Sequence, residues 1–391
     1  MDDARYFAYL AILSKKTIEN ALTYFQKKFS IPPKDFNLAY EISSGVVRYS
    51  LTLDHYILQL QKKIKLKKEG RALLRMAIYQ YCFMDKIPYY AICNQTIEIA
   101  KHQLLKNIPF LNALVRKIEK TEFSLPKDKS IKSLSIRYSY PEYFVKELVD
   151  DIGLIKAEKI LEIQNKIYPS FARIRDKKIS KTFIELDKKK IQQIKDDPNY
   201  YIQNPTFCKL VDKLKLETKA PKNILDLCAA PGGKLLLASD LYPSAKLFAN
   251  DVNTTRLKPL KQNIEKYNLD VHLTNEDASK LQSKDKYDLI ILDVPCSNSG
   301  VLAKRVEARW KLSKENVADL SKLQDSILQN AKKLLSDSGV IWYLTCSILS
   351  SENQTVIEKA LKKGLSLKGK MHTIYPDSTG LDGGFGCVLA K

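Results

Sequence analysis

From about residue 216 the chain alternates short apolar runs with stretches of helical periodicity, and this alternation constrains the fold more than any other feature. "KNILDLCAAPGGK" reads as a strand entering a glycine loop, "LLLASDLY" as a helix, "AKLFANDVN" as a strand, "TTRLKPLKQNIEKYN" as a helix and "VHLTNEDA" as a strand. "KYDLIILDVPC" is a further strand, "SKENVADLSKLQDSILQNAKKLL" a long helix, "GVIWYLTCS" a strand and "SENQTVIEKALKKG" a helix. Pro259 must lie near the first turn of its helix or kink it. Strands alternating with helices predict a parallel, doubly wound sheet, and ligands of such sheets gather at the carboxyl ends of the strands. Two apolar runs end there on a cysteine. Val340 to Leu344 stops at Thr345-Cys346-Ser347, and Leu289 to Leu292 stops at Asp293-Val294-Pro295-Cys296.

The rest of the chain has a different character. Residues 1–127 show apolar positions at three-to-four spacing, as in "RYFAYLAILSKKTIENALTYFQKKF" and "GRALLRMAIYQYCFMDKI", and predict an all-helical domain. The basic run "KKIKLKKEGR" sits between helices, either as a solvated linker or as a phosphate-contacting loop. Residues 128–215 are mixed: "YPEYFVKELVDDIGLIKAEKILEIQNKI" suggests two short helices, while "PSFARIRD" and "KTFIEL" read as strands. Residues 216–391 form the alternating domain.

Lys and Arg total 65 against 44 acidic residues, a formal charge of +21. That excess favours a polyanionic partner, nucleic acid first, over a merely solvated basic surface or an anionic membrane. No apolar stretch approaches membrane-spanning length, and the acidic start "MDDARYFAYLAILSKK" is wrong for a signal peptide. The seven cysteines are scattered and include no Cys-x-x-Cys pair. They predict free thiols in a reducing cytosol rather than a disulfide framework or zinc site. The four histidines are equally scattered, so no metal is expected.

"LDLCAAPGGK" follows a strand and opens a helix. Pro231-Gly232-Gly233 makes a tight turn that lets backbone N–H groups approach a ligand, and the pattern is neither a dinucleotide fingerprint nor a phosphate-binding P-loop. Asp251 closes the next strand, where a carboxylate typically accepts ribose hydroxyls. Asp277 ends the third strand, placed to meet an adenine amino group. A nucleoside cofactor without a pyrophosphate fits these parts, S-adenosyl-L-methionine above others. The plain alternative is a Gly-Gly helix start with two solvated aspartates.

Two thiols beside a methyl donor suit one reaction. The C5 carbon of a pyrimidine is too poor a nucleophile to take a methyl group. A thiolate added at C6 makes C5 enamine-like; a base then removes the C5 proton and the thiolate leaves. Asp293 is placed to assist at the ring N3. The competing reading is that each cysteine is a small core residue, and spacing does not say which thiol would attack.

"LDLCAAPGGK", "LDVPCSNSGV" and "TCSILSSEN", in that order, resemble the Sun/Fmu family of RNA cytosine-5 methyltransferases. "SSGVVRYSLTLD", "LLRMAIYQ", "IPYYAICNQTIEIAK" and "FLNALVRKI" are similar to the NusB-type RNA-binding helical domain, and "IRYSYPEYFVKEL" matches the segment joining the two. This is the RsmB-type arrangement, whose substrate is a cytosine of small-subunit (16S) ribosomal RNA. The resemblance implies an all-α NusB-like domain, a small α+β RNA-contacting segment and a Rossmann-like S-adenosyl-L-methionine-dependent catalytic domain. It implies Cys346 as the nucleophile and Cys296 as the group assisting release. Cys228, Ala229, Ala230, Pro231, Gly232, Gly233 and Lys234 would line the cofactor pocket with Asp251, Asp277 and Asp293, and Lys234 and Asp293 would also lie near the target base. The sequence departs from the family pattern at Val294, at Asn298 where a small residue is usual, in "AKRVEARW", at Arg175, in "QNPTF" and in the tail "GGFGCVLAK". The expected protein is a cytoplasmic monomer acting on ribosomal RNA not yet fully assembled. The alternatives are a transfer RNA methyltransferase and a catalytically idle RNA-binding assembly factor.

Overall fold

The structure, a computed structural model, describes residues 3–63, 65–175 and 183–391. Asp176, Lys181 and Thr182 of the two expected strands, and Ile64 of the basic run, lie outside the described residues. Tertiary contacts divide the chain into two compact units, Met1–Lys146 and Glu147–Lys391.

The first unit is helical. Its elements are α1 (Ala4–Leu13), α2 (Ile18–Phe29), α3 (Pro33–Arg48), α4 (Ser50–Leu60), α5 (Lys68–Phe83), α6 (Tyr89–His102), α7 (Ile108–Lys117) and α8 (Ile131–Tyr138), while α9 (Glu142–Ile152) spans the division. The termini are written in the sequence. Asp3 and Thr17 accept the first free amides of α1 and α2, and Pro33 opens α3 where no amide partner is needed. Phe7, Leu22, Ile42, Leu53, Leu73, Ile78 and Val115 form one buried core. Gly45 marks a close crossing, because a Cβ there would strike the Tyr79 ring. Of the basic run, residues from Lys68 onward belong to the first turns of α5.

The second unit opens with α10 (Leu154–Ile163), β1 (Ser170–Ile174), β2 (Phe183–Leu186), α11 (Lys188–Ile194), β3 (Tyr200–Ile202) and α12 (Pro205–Leu214). The three strands form an antiparallel sheet in the order β2-β1-β3. The main sheet follows: β4 (Asn223–Asp226), α13 (Gly233–Leu241), β5 (Lys246–Asn250), α14 (Thr254–Lys266), β6 (Val271–Thr274), β7 (Tyr287–Asp293), α15 (Lys314–Leu334), β8 (Leu335–Thr345), α16 (Gln354–Lys362), β9 (Ser366–Ile374) and β10 (Gly384–Ala390). Its order is β6-β5-β4-β7-β8-β10-β9. Successive side chains point to opposite faces. Leu225, Ile290 and Ile341 therefore pack with α15 and α16, while Ile224, Leu289, Ile291 and Trp342 pack with α12, α13 and α14. Arg173 Nη2 and Arg175 Nη2 reach Asp240 of α13 at 2.7 and 2.8 Å, tying the small sheet to the helix after the glycine loop.

The expectation of a parallel sheet holds for β6 through β8. It fails beyond them, since β10 runs antiparallel between β8 and β9. No helical stretch separates these last two strands, so they return as a hairpin-like pair instead of a right-handed crossover. Pro259 is the sixth residue of α14, in its second turn rather than its first. β6 stops at Thr274, so Asp277 lies in the turn beyond the strand and not at its end.

Candidate active site

β4 lies between β5 and β7, and the chain leaves it in one direction for β5 and β6 and returns on the other side for β7 and β8. The loops after β4, β7 and β8 thus meet at the switch point of the sheet. β7 and β8 pair in parallel with Asp293 opposite Leu344, which brings the two cysteine loops side by side. The Sγ atoms of Cys296 and Cys346 lie 3.2 Å apart. The hydrogen bond with Cys346, then burial, pushes the Cys296 thiol well above its usual range. Gly300 donates to the Cys346 carbonyl at 2.9 Å and accepts from the Gly383 amide at 2.7 Å. A Cβ at Gly300 would meet both Gly383 and Cys346, so only glycine admits this contact.

A carboxylate holds the two loops together. Glu352 follows Cys346 in a short 3-10 turn and is fully buried. It accepts from the Ser297 amide at 2.8 Å, the Ser347 hydroxyl at 2.7 Å, Gln324 Nε2 at 3.2 Å and the Ser297 hydroxyl. Ser299 and Ser347 join by hydroxyls at 2.8 Å, and Ser299 also accepts from the Ile348 amide. Glu352 was not among the expected site residues. The available signal was the one charged residue of the motif "TCSILSSEN", where burial demands partners.

A cavity of about 320 Å³ opens beside Cys346 and is lined by Tyr201, Phe207, Pro231, Lys234, Asp293, Arg305 and Gly383, among others. Lys234 Nζ donates to Asp293 Oδ2 at 2.5 Å and stands over the Phe207 ring, 4.6 Å from its centroid. Burial works against the Lys234 charge, but Asp293 more than offsets it and the lysine pKa is raised. Asn298, at φ +61°, donates to the Cys296 carbonyl at 3.0 Å. Its Oδ1 accepts from Arg305 at 2.8 Å and from the Cys346 thiol at 3.3 Å.

The glycine loop is braced from both sides. Gly232 has φ +108°, a conformation that glycine adopts readily, and a Cβ there would strike Leu260. A Cβ on Gly233 would strike Tyr201. Asp251 is buried and accepts from the Ala230 amide at 3.1 Å and the Asn253 amide at 2.9 Å. Arg256 donates to the Ala230 carbonyl, and Asn263 to the Pro231 carbonyl at 2.8 Å. Below the loop, Asp226 is fully buried and neither of its oxygens has a well-formed hydrogen bond. Burial pushes its carboxyl up to about 7 against the opposing charge of Lys234, with Asp293 adding to the rise.

Residues 213–385 match the family described as 16S rRNA methyltransferase RsmB/F, and residues 3–120 match the NusB family. Residues 213–385 thus carry an RsmB/F methyltransferase domain, behind a NusB-family domain at residues 3–120. The RsmB/F likeness extends to curated relatives. A "Probable ribosomal RNA small subunit methyltransferase B" of Bacillus subtilis is 26% identical, over 93% of this chain and 92% of the relative. The "Ribosomal RNA small subunit methyltransferase B" of Photorhabdus laumondii is 29% identical with the same coverage. Among solved structures, that of PH0851 superposes at TM-score 0.81 and 20% identity, over 100% of this chain and 99% of the other. NSun6 from Pyrococcus horikoshii with SFG superposes at TM-score 0.56 and 18% identity, over 65% and 99%. These two likenesses establish the fold.

RsmB/F methyltransferases are S-adenosyl-L-methionine-dependent, and the residues here fit that cofactor. Below the glycine loop lies the orphaned, fully buried carboxylate of Asp226, which the sequence reading did not single out. The loop presents Ala229, Ala230, Pro231, Gly233 and Lys234 to the cavity. The other expected residues stand back from it. Cys228 is largely buried and burial raises its thiol pKa; Gly232 shapes the turn; Asp251 holds the Ala230 amide. Cys296 lies behind Cys346 and outside the cavity lining. Asp277 is turned onto the Ser279 amide and hydroxyl at 2.9 and 2.7 Å, bonds that lower its pKa. Among the described residues, no helix is long and apolar enough to cross a membrane, and no group of three or more His, Cys, Asp or Glu side chains could hold a metal ion.

Proposed function

We propose that this protein methylates C5 of a cytosine in small-subunit (16S) ribosomal RNA through a covalent bond between Cys346 and C6 of the base. The 3.2 Å approach of Cys346 and Cys296 at adjacent strand ends carries the reading. Cys346 lines the cavity and Cys296 does not, which supports Cys346 as the attacking sulfur. Asp293, clamped by Lys234 on the cavity wall, faces the ring edge and accommodates the charge that develops at N3. Bound S-adenosyl-L-methionine supplies an electrophilic methyl group. After methyl transfer a base takes the C5 proton, the freed electron pair restores the C5=C6 bond and expels the Cys346 thiolate, and Cys296 assists this release. The target base must leave its stack to reach a sulfur recessed in the cavity, so a loop or an incompletely assembled RNA is the substrate. Residues 1–127 form the NusB-like RNA-binding domain, 128–215 an RNA-contacting segment and 216–391 the catalytic domain of a monomer working in the cytoplasm. The charge of +21 supplies phosphate attraction along the chain.

The test is bisulfite mapping of small-subunit ribosomal RNA from cells with and without this protein. One cytosine should lose its protection in the deficient cells. An unchanged map refutes the proposal.

A further inference from the structure

Asn298 occupies a position where the resemblance places a small residue, and it has three polar contacts around the two thiols. Its Nδ2 donates to the Cys296 carbonyl at 3.0 Å, and its Oδ1 accepts both Arg305 Nη1 at 2.8 Å and the Cys346 thiol at 3.3 Å. These partners fix the orientation of the amide. Reversing it would set a donor against the guanidinium and an oxygen against the Cys296 carbonyl. Cys346 therefore faces an acceptor, and the bond exists only while the sulfur carries its proton.

We propose that Asn298 is a positioning residue that at rest pins the Cys346 thiol and Arg305 to one amide oxygen. For Cys346 to attack, this oxygen must release both groups, which frees the guanidinium to face the sulfur. The other charged and titratable groups around Cys346 are Cys296 at 3.2 Å and Lys234 with its partner Asp293. Glu352 acts on Cys296, and Asp382 is held by Lys304 at 2.9 Å. Asn298 is thus the one neutral group among these that touches Cys346 and Arg305 together. The inference rests on Cys346 being the nucleophile proposed above.

The backbone makes the test clean. At φ +61°, Gly and Asp both tolerate the turn, so Asn298→Gly removes the acceptor without strain and Asn298→Asp keeps an acceptor while adding negative charge. The full-length protein without RNA is treated with iodoacetamide across a pH series, and alkylation of Cys346 is followed by peptide mass spectrometry, separately from the other cysteines. Asn298→Gly should react faster than the wild type by about threefold to tenfold near neutral pH, the worth of one neutral hydrogen bond. Asn298→Asp should react more slowly, and the acid limb of the methyl-transfer pH profile should shift with the same order. Equal rates, or any other order, overturn the proposal and leave Asn298 as a residue that merely fills the turn. The reading is made without RNA. Failure of this order would leave the role of Cys346 in methyl transfer untouched, and failure of that role would leave this order measurable.

Discussion

Replacing Glu352 by alanine should loosen the frame around both thiols. The carboxylate is fully buried, and its loss strands the Ser297 amide, which has no other acceptor within the bonds described above. An orphaned buried donor costs about 1–3 kcal/mol, and the void left by the missing side chain adds on the order of 1 kcal/mol. The hydroxyls of Ser297 and Ser347 lie 3.4 Å apart and can satisfy each other, and Gln324 Nε2 keeps the Pro295 carbonyl at 2.9 Å. Glu352→Ala should therefore destabilise the second unit by about 2–4 kcal/mol. Glu352→Gln keeps the volume and an oxygen for the amide, and should lose about 1 kcal/mol or less. Both tryptophans, Trp310 and Trp342, lie in the second unit, so urea unfolding followed by tryptophan fluorescence reports that unit alone. At a slope of about 2–3 kcal/mol per molar, the alanine variant should lose roughly 1 M in its midpoint. Coincident midpoints for the two variants would refute the brace.

Cys346→Ala should abolish methyl transfer, and near-normal turnover would remove it from the nucleophile's role. Cys296→Ala should accumulate a protein–RNA adduct, read as a retarded band on a denaturing gel; its absence while Cys346 is intact would disprove the release role. Asp293→Asn should lower turnover in the methyl-transfer assay by about 10²–10⁴-fold, the scale of a general acid–base contribution. The Asp226 carboxyl is pushed up to about 7, above its unfolded value, so folding binds an extra proton and stability falls as pH rises from about 4 to 7. Asp226→Asn should flatten that slope in urea unfolding across pH, gaining stability on the order of a few kcal/mol above pH 7. A variant with the wild-type pH slope would show that Asp226 is not the group responsible.

What the sequence makes legible follows from periodicity. The helices of the first unit, the β4 to β8 alternation and the two cysteine endings all rest on apolar spacing that leaves little choice. The convergence of Cys296 and Cys346 follows from parallel pairing of β7 and β8, which the alternating pattern implies. The antiparallel β9 and β10 were hidden because glycines and lysines dilute "SLKGKMHTI" and "GFGCVLA". Asp226 and Glu352 were hidden for another reason: burial and an unmet or shared hydrogen bond are properties of packing, not of spacing. Asp251 and Asp277 show the converse. Asp251 follows its strand as expected while Asp277 lies in the turn beyond β6, and one is bound to the loop's own backbone and the other to Ser279.

The insertion of β10 between β8 and β9 has a consequence for how the molecule matures during synthesis. Every candidate catalytic side chain is translated by residue 346, but the strand that covers the open edge of β8 arrives only at residues 384–390. Gly383, which hooks the Cys346 loop through Gly300, arrives just before it. A nascent chain halted between these points would carry both thiols on an unpaired strand edge, exposed to sticking before it could turn over. The shield for that edge is thus made only after the residues it protects.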